Sequence, residues 1–211
     1  MRQERAVRTR RALIESAATV FGQRGYADAT LSMISAGAGV SPGALHFHFE
    51  NKTAVGAAVE TAAARILRTT AHEVYAQRTS ALQALADSTH ALAGVLLRDV
   101  VARTGLQLAR EPAYAPALTL LGDWHAYVRR LLAEAQEEGE LIPGVSDLSA
   151  ASTVVAATYG FAVLGRDDPR WLAHRTVTGF WRVVMPCLAA PTDLTGARPA
   201  RDAPGAGCRA C

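Results

Sequence analysis

Several groups of residues in this sequence have types and spacings that chemistry could use. Cys208 and Cys211 form a C-x-x-C, the spacing of half a zinc ribbon or of a dithiol centre. No second ligand pair accompanies them, and their flanks are Pro, Gly, Ala and Arg. His46 and His48 lie two residues apart, so on a helix they do not face one another and make a poor metal pair. His72-Glu73 lacks the second histidine of a zinc-protease helix. Glu137, Glu138 and Glu140 gather at a helix end where solvated charge is the ordinary reading, and no G-x-S-x-G occurs. Gly37, Gly39 and Gly43 spell G-x-G-x-x-x-G, one residue too long for a dinucleotide fingerprint, and no β-rich strand precedes them. No catalytic residue, no metal site and no cofactor is therefore expected.

The remaining group suits recognition of a polyanion. Thr30 to Lys52, TLSMISAGAGVSPGALHFHFENK, reads as two short helices joined by a tight turn at Gly39-Val40-Ser41. Thr30 or Ser32 caps the first, which buries Leu31, Ile34 and Ala38. Ser41 caps the second, with Pro42 at the first helical position, where a missing N–H costs nothing. Such a helix-turn-helix projects its second helix outward, and the major groove of B-DNA admits one helix. Gly37 is read as letting the two short helices pack closely. Charge points the same way. Residues 1–52 hold seven basic and four acidic side chains, whereas the rest of the chain is balanced, so the whole net +3 lies in this part. A basic first domain is what counterion release from phosphates requires.

The elements that must position this motif are all helical. Leu13, Ile14, Ala17, Ala18 and Phe21 make one face of helix 1, from about Gln3 to Gly25, with Tyr26 packed behind the motif. Helix 4 follows over about Lys52–Gln77, with Val55, Val59, Ala63, Ile66, Leu67 and Val74 as its stripe. At about 1.5 Å per residue it is a lever of some ~35 Å. Helix 5 is expected near 81–103, a short helix 6 near 106–110, and helix 7 over about 117–138 after Pro112 and Pro116. Helices 8 and 9 follow at about 147–164 and 169–188, the last kinked near Pro186, with Asp167-Asp168-Pro169 as the turn between them. The fold class is all-α: a three-helix head over 1–52, a second helical domain over 53–190, about nine helices in total, and a disordered tail from Pro191. Apolar runs are broken well before the ~20 residues of a membrane span, and no signal peptide is evident, so a cytoplasmic location away from membranes is expected. Cys187 is read as a free, buried thiol.

Thr30 to Lys52, with the helix before it, resembles the N-terminal domain of the TetR family of bacterial transcriptional repressors. The likeness rests on Ala38-Gly39-Val40-Ser41, Gly43-Ala44-Leu45, Phe47-His48-Phe49 and Lys52. Within that family the chain is similar to the γ-butyrolactone autoregulator receptors. They share the basic run Arg5 to Arg10, VVARTGLQLA (Val100 to Ala109), and Trp124-His125 ahead of Ala135 to Leu141. The resemblance implies a homodimeric repressor on a double-stranded, pseudo-palindromic operator, released by a small-molecule effector of γ-butyrolactone or butenolide type and controlling secondary metabolism. The residues it places at the DNA are Arg8, Thr30, Ser41, Pro42, Gly43, Ala44, Leu45, His46, Phe47 and Lys52. Lys52, the only lysine in the chain, stands at the family's phosphate-binding place. His46 departs from the family's usual Tyr, which shortens the reach and makes the contact pH-sensitive. Pro42 departs from the Lys or Thr of many receptors. From the residues alone, Phe47 and Phe49 are also read as packing on helix 1 and the start of helix 4.

For the effector, small residues on helices 5, 7 and 8 leave room, and Thr, Tyr and Trp supply a few polar handles. Composition alone slightly favours a close-packed Ala-rich bundle. The resemblance assigns Trp124 to the ligand's ring and Thr158 to a hydrogen bond, with Val100, Leu106, Leu108 and Leu121 as apolar wall. It assigns the dimer interface to helices 8 and 9, with Trp171, Val177, Phe180, Trp181 and Val184. Two rival functions stay open: a pseudo-receptor of the same subfamily that answers to an antibiotic or pathway intermediate, and a small helical enzyme or carrier using the same cavity.

Overall fold

The computed structural model describes residues 2–115 and 118–191. The tail beyond Pro191, with Cys208 and Cys211, and residues 116–117 at the expected start of helix 7 lie outside the described residues. The described chain forms nine α-helices: α1 (Arg2–Asp28), α2 (Leu31–Gly37), α3 (Pro42–His48), α4 (Lys52–Ala76), α5 (Ala81–Arg98), α6 (Val100–Leu108), α7 (Leu120–Glu137), α8 (Asp147–Leu164) and α9 (His174–Leu188). A 3₁₀ turn, Pro169–Leu172, precedes α9.

Local chemistry sets the ends of these helices. Thr30, Ser41 and Asn51 are extended residues whose side chains accept from the backbone N–H of Met33, Ala44 and Ala54, so they cap α2, α3 and α4 in turn. Gly25 interrupts α1 with a φ of 77°, and a further turn runs on to Asp28. The break between helices 5 and 6 falls earlier than expected, inside the stretch expected as helix 5. Asp99 leaves the helical region at φ −105° and ψ 113°, and its carboxylate caps α6 by accepting from Ala102 N–H at 2.9 Å. The expected helix 9 is likewise divided. Asp168 caps the 3₁₀ turn, extended Ala173 ends it, and α9 then runs through Pro186 to Leu188. Glu138 and Glu140 are not merely solvated, because their carboxylates accept from the N–H groups of Ala81 and Leu82 and so cap α5 from outside. Cys187 is exposed rather than buried.

Two apolar clusters result. The first gathers Leu13, Ala17, Phe21, Ile34, Leu45 and Phe49 around the start of α4, and Val101, Leu108 and Tyr114 complete it from α6 and the segment beyond. The second fills the space between α5, α7, α8 and α9, with Leu85, Val128, Leu131, Val154 and Trp181 inside. Helix α6 lies against both α1 and α4. Its Thr104 hydroxyl donates to the Ala18 carbonyl at 3.0 Å, and Gly105 lets it approach so closely that any Cβ there would collide with Ala63. Gly37 serves a different contact from the expected one. A Cβ at Gly37 would lie 2.5 Å from Ser16 Oγ, so the close approach is between α2 and α1.

Candidate DNA-binding surface and effector cavity

The outward face of α3 is built by what its inward face must do. Leu45 is fully buried and Phe49 is 4% exposed, and between them they anchor the helix in the first cluster. Leu45 is thereby removed from the residues that could meet a base: its side chain is core. Pro42, Gly43, His46 and Phe47 are exposed, and Ala44 is partly so. Phe47, 80% exposed, does not pack on α1 or α4. Its ring meets that of His48 edge-on, with centroids 5.2 Å apart. An apolar ring in water on a recognition helix suits thymine methyls or sugar edges. Arg8 and Thr30 are exposed. Arg10 lies over the Phe49 ring at 5.2 Å and Arg11 bonds Glu15 at 2.8 Å, so these neighbours of Arg8 are already engaged.

Lys52 is placed differently from the sequence expectation. Its ammonium donates to the carbonyls of Tyr26, Ala27 and Ala29 at 2.7, 2.9 and 2.9 Å, and stands 4.6 Å from the Tyr26 ring centre. An ammonium has three protons, and three carbonyls take them. Lys52 therefore fastens the start of α4 to the end of α1, and the phosphate contact expected of it would compete with these three bonds.

In the second cluster a cavity of about 380 Å³ opens between α4, α5, α7 and α8, within the range of small-molecule sites. Its wall is mostly apolar: Leu67, Leu92, Leu96, Leu106, Leu120 and Leu121 with Ala64, Ala71 and Ala93. Trp124 and Thr158 both line it, and the indole N–H donates to the Thr158 hydroxyl oxygen at 2.8 Å. The hydroxyl proton goes to the Val154 carbonyl at 2.8 Å. Trp124 stacks on Tyr127 at 5.6 Å, and the Tyr127 hydroxyl meets Ser88 at 2.8 Å. The Tyr127 pKa is raised, chiefly by burial, so it stays a neutral hydrogen-bonding group. Charged side chains also line it: Arg68 and Asp123, which pair at 2.6 Å, and Arg130. Of the six expected ligand residues, Trp124, Thr158, Leu106 and Leu121 are brought together here. Val100 and Leu108 are not: they face the first cluster and pack against α1 and α4.

The expected dimer residues also separate. Val177 has no exposure and Trp181 is 5% exposed, so both are core within one chain. Phe180 and Val184 are half-buried, Trp171 is 41% exposed, and Val183, absent from the expectation, is 72% exposed. Sequence reasoning also missed the contact of His90 with His174, whose rings lie 4.4 Å apart across α5 and α9, and that of Tyr114 with Glu60. Both pairs are distant in sequence, and no local pattern signals them.

Residues 13–59 match the family model of the bacterial regulatory proteins of the tetR family. Over 199 residues the chain is 32% identical to the A-factor receptor protein of Streptomyces griseus, a match spanning 94% of this chain and 70% of that protein. Among solved structures, a γ-butyrolactone receptor described as ArpA-like superposes with a TM-score of 0.76 at 30% identity, covering 88% of this chain and 90% of that one. CprB from Streptomyces coelicolor, solved in complex with its biological operator sequence, gives 0.73 at 32% identity over 88% and 90% of the two chains.

Proposed function

The chain belongs to the TetR family of bacterial regulatory proteins, and from that membership we propose that it is a homodimeric repressor, held on a pseudo-palindromic operator and released by a small molecule of γ-butyrolactone or butenolide type. One observation carries this reading. The cavity and the recognition helix are joined by a continuous, packed path. Ala64, Leu67 and Ala71 of α4 line the cavity, and the first residue of the same helix is bonded to the end of α1 beside the helix-turn-helix. Over its 25 residues α4 spans roughly 37 Å at 1.5 Å per residue, so a small tilt at the cavity end becomes a displacement at the DNA end.

The ligand class follows from the wall. Trp124 bonds Thr158, and Tyr127 bonds Ser88 and the Ala71 carbonyl, so the wall offers an apolar surface with a few hydrogen-bonding groups that must exchange partners to engage a ligand. A neutral ring with an alkyl arm matches such a surface better than an ion does. Operator and effector then select different arrangements of α4 and α6, each disfavouring the other.

Dimerisation is proposed from α8 and α9. By length and composition α8 alone among the described helices could cross a membrane, yet only 17% of it is buried inside the chain. Its apolar surface, with Val183, Val184 and Phe180 on α9, asks for a cover, and a second copy supplies one in the four-helix manner. Two heads held ~34 to 36 Å apart would then read two half-sites.

The test is binding of the chain to the DNA upstream of its own gene at two salt concentrations, with and without an organic extract of the source culture. Specific binding that weakens with salt and is released by the extract supports the repressor and its ligand. Specific binding that the extract leaves untouched keeps the DNA reading and removes the lactone.

A further inference from the structure

Within the first cluster α4 carries a carboxylate. Glu60 has no solvent exposure, and its Oε2 accepts a 2.6 Å hydrogen bond from the Tyr114 hydroxyl. A carboxylate in an apolar core is costly unless it is well hydrogen-bonded, and the Tyr114 hydroxyl supplies one short bond to it. Tyr114 comes from the segment between α6 and α7 and is 6% exposed. Its ring lies 4.8 Å from that of Tyr26 and rests on Gly56, where any Cβ would sit 2.7 Å from Tyr114 Cε2. Burial, then the adjoining carboxylate, raises the phenol's pKa, so its proton stays available for the bond. Tyr26 in turn accepts from Lys52 through its carbonyl and meets Thr53 Oγ1 through its hydroxyl at 3.3 Å. Tyr114 is thus wedged where α1, α4 and the helix-turn-helix meet.

The same pair is linked to the cavity by position along the chain. On α4, Glu60 is the next position, one helical turn toward the head, of the stripe that continues as Ala64, Leu67 and Ala71 along the cavity wall. In sequence, Tyr114 stands six residues before Leu120, where α7 begins to line the cavity. Neither Glu60 nor Tyr114 lines it.

We propose that the Glu60–Tyr114 bond is the latch that couples the two activities: closed, it fixes α4 to the head in the operator-binding arrangement, and the effector-bound arrangement requires it open. This rests on the reading of the chain as a ligand-released repressor. Both residues are positioning residues, acting on DNA through α4 and on ligand through the balance of two arrangements. Opening removes a short hydrogen bond from a carboxylate that has no solvent exposure, which separates the two arrangements in energy.

Tyr114→Phe keeps the ring in its slot and removes only the bond. If the latch opposes ligand binding, this variant pre-populates the open arrangement, and a cavity probe binds it more tightly, by about tenfold for one charge-assisted hydrogen bond. The probe is the uncharged N-phenyl-1-naphthylamine, read by its own fluorescence on the full-length chain. Tighter probe binding that disappears when Trp124→Ala is added, with operator affinity equal to or below wild type, supports the latch. Unchanged or weaker probe binding, or a gain that survives Trp124→Ala, overturns it, since a merely structural contact would loosen the core without favouring the cavity. Should Tyr114→Phe not fold, Glu60→Gln is read in its place. It keeps the shape and the acceptor while removing the charge, and a smaller gain is expected; no gain overturns the latch. Failure of the underlying repressor reading shows separately, as wild-type chain that binds upstream DNA without salt dependence or specificity.

Discussion

At the scale of single residues, the placements of Lys52 and Trp124 lead to opposite expectations for the two activities. A phosphate-binding lysine contributes to the salt dependence of DNA binding. One that fastens two helices contributes to folding. Lys52→Met keeps the apolar stem and deletes three bonds to carbonyls, so a loss of roughly 2 kcal/mol in stability is expected. The slope of log affinity against log salt should remain that of wild type, whereas loss of a phosphate contact would lower it by about 1. Thermal melts and a salt titration of operator binding separate the two. Trp124 faces the cavity far along α4 from the head, so Trp124→Ala should hold operator affinity within about twofold and abolish release by ligand, as measured by gel shift. Loss of both would count against the cavity assignment. Much at this scale was legible in the sequence. Ser41, Thr30 and Pro42 occupy their places because caps and first-turn prolines are local chemistry. Leu45 was not, because a motif records which residues recur and not which way each one points.

At the scale of elements, α2, α3, α4 and α8 lie close to where periodicity puts them, while α5, α6 and α9 do not. The reason is the same at each miss. An apolar stripe continues across Asp99 and across Ala173, but the backbone turns, and only the capping carboxylates of Asp99 and Asp168 announce it. Contacts between elements were the least legible, and His90 against His174 is an example with a measurable consequence. Burial, then the charge of His174, holds the His90 imidazole below its ordinary pKa, with Asp87 opposing. The folded chain thus disfavours the proton that the unfolded chain accepts. Stability is full above the ordinary imidazole range near ~6.5 and falls as pH drops from there through the lower folded value. Melting temperature should decline from pH 7.5 to 5.5, and His90→Leu should flatten that decline; an equally steep slope in the variant would remove α5 and α9 as its origin.

At the scale of the whole molecule, the uncovered apolar surface of α8 and α9 is the interface we propose, and Val183 is its most exposed large side chain. Val183→Glu puts like charges face to face if two copies meet there. The variant should sediment as a monomer and bind a full palindrome at least tenfold more weakly, because linkage of two half-site contacts is lost. A dimer of wild-type strength would move the interface elsewhere. The head, for its part, has a chemical property that its charge conceals. All of its other cations are arginines, and the single lysine in the 211-residue sequence holds its amine against three backbone carbonyls. Reagents that act through side-chain amines will therefore meet very little of this protein. Formaldehyde, which bridges proteins to nucleic acid largely through lysine, should capture it on its operator poorly, and acylating dyes should leave its DNA binding almost untouched. Genomic mapping of its sites by aldehyde cross-linking would under-count them, whereas footprinting in solution would not.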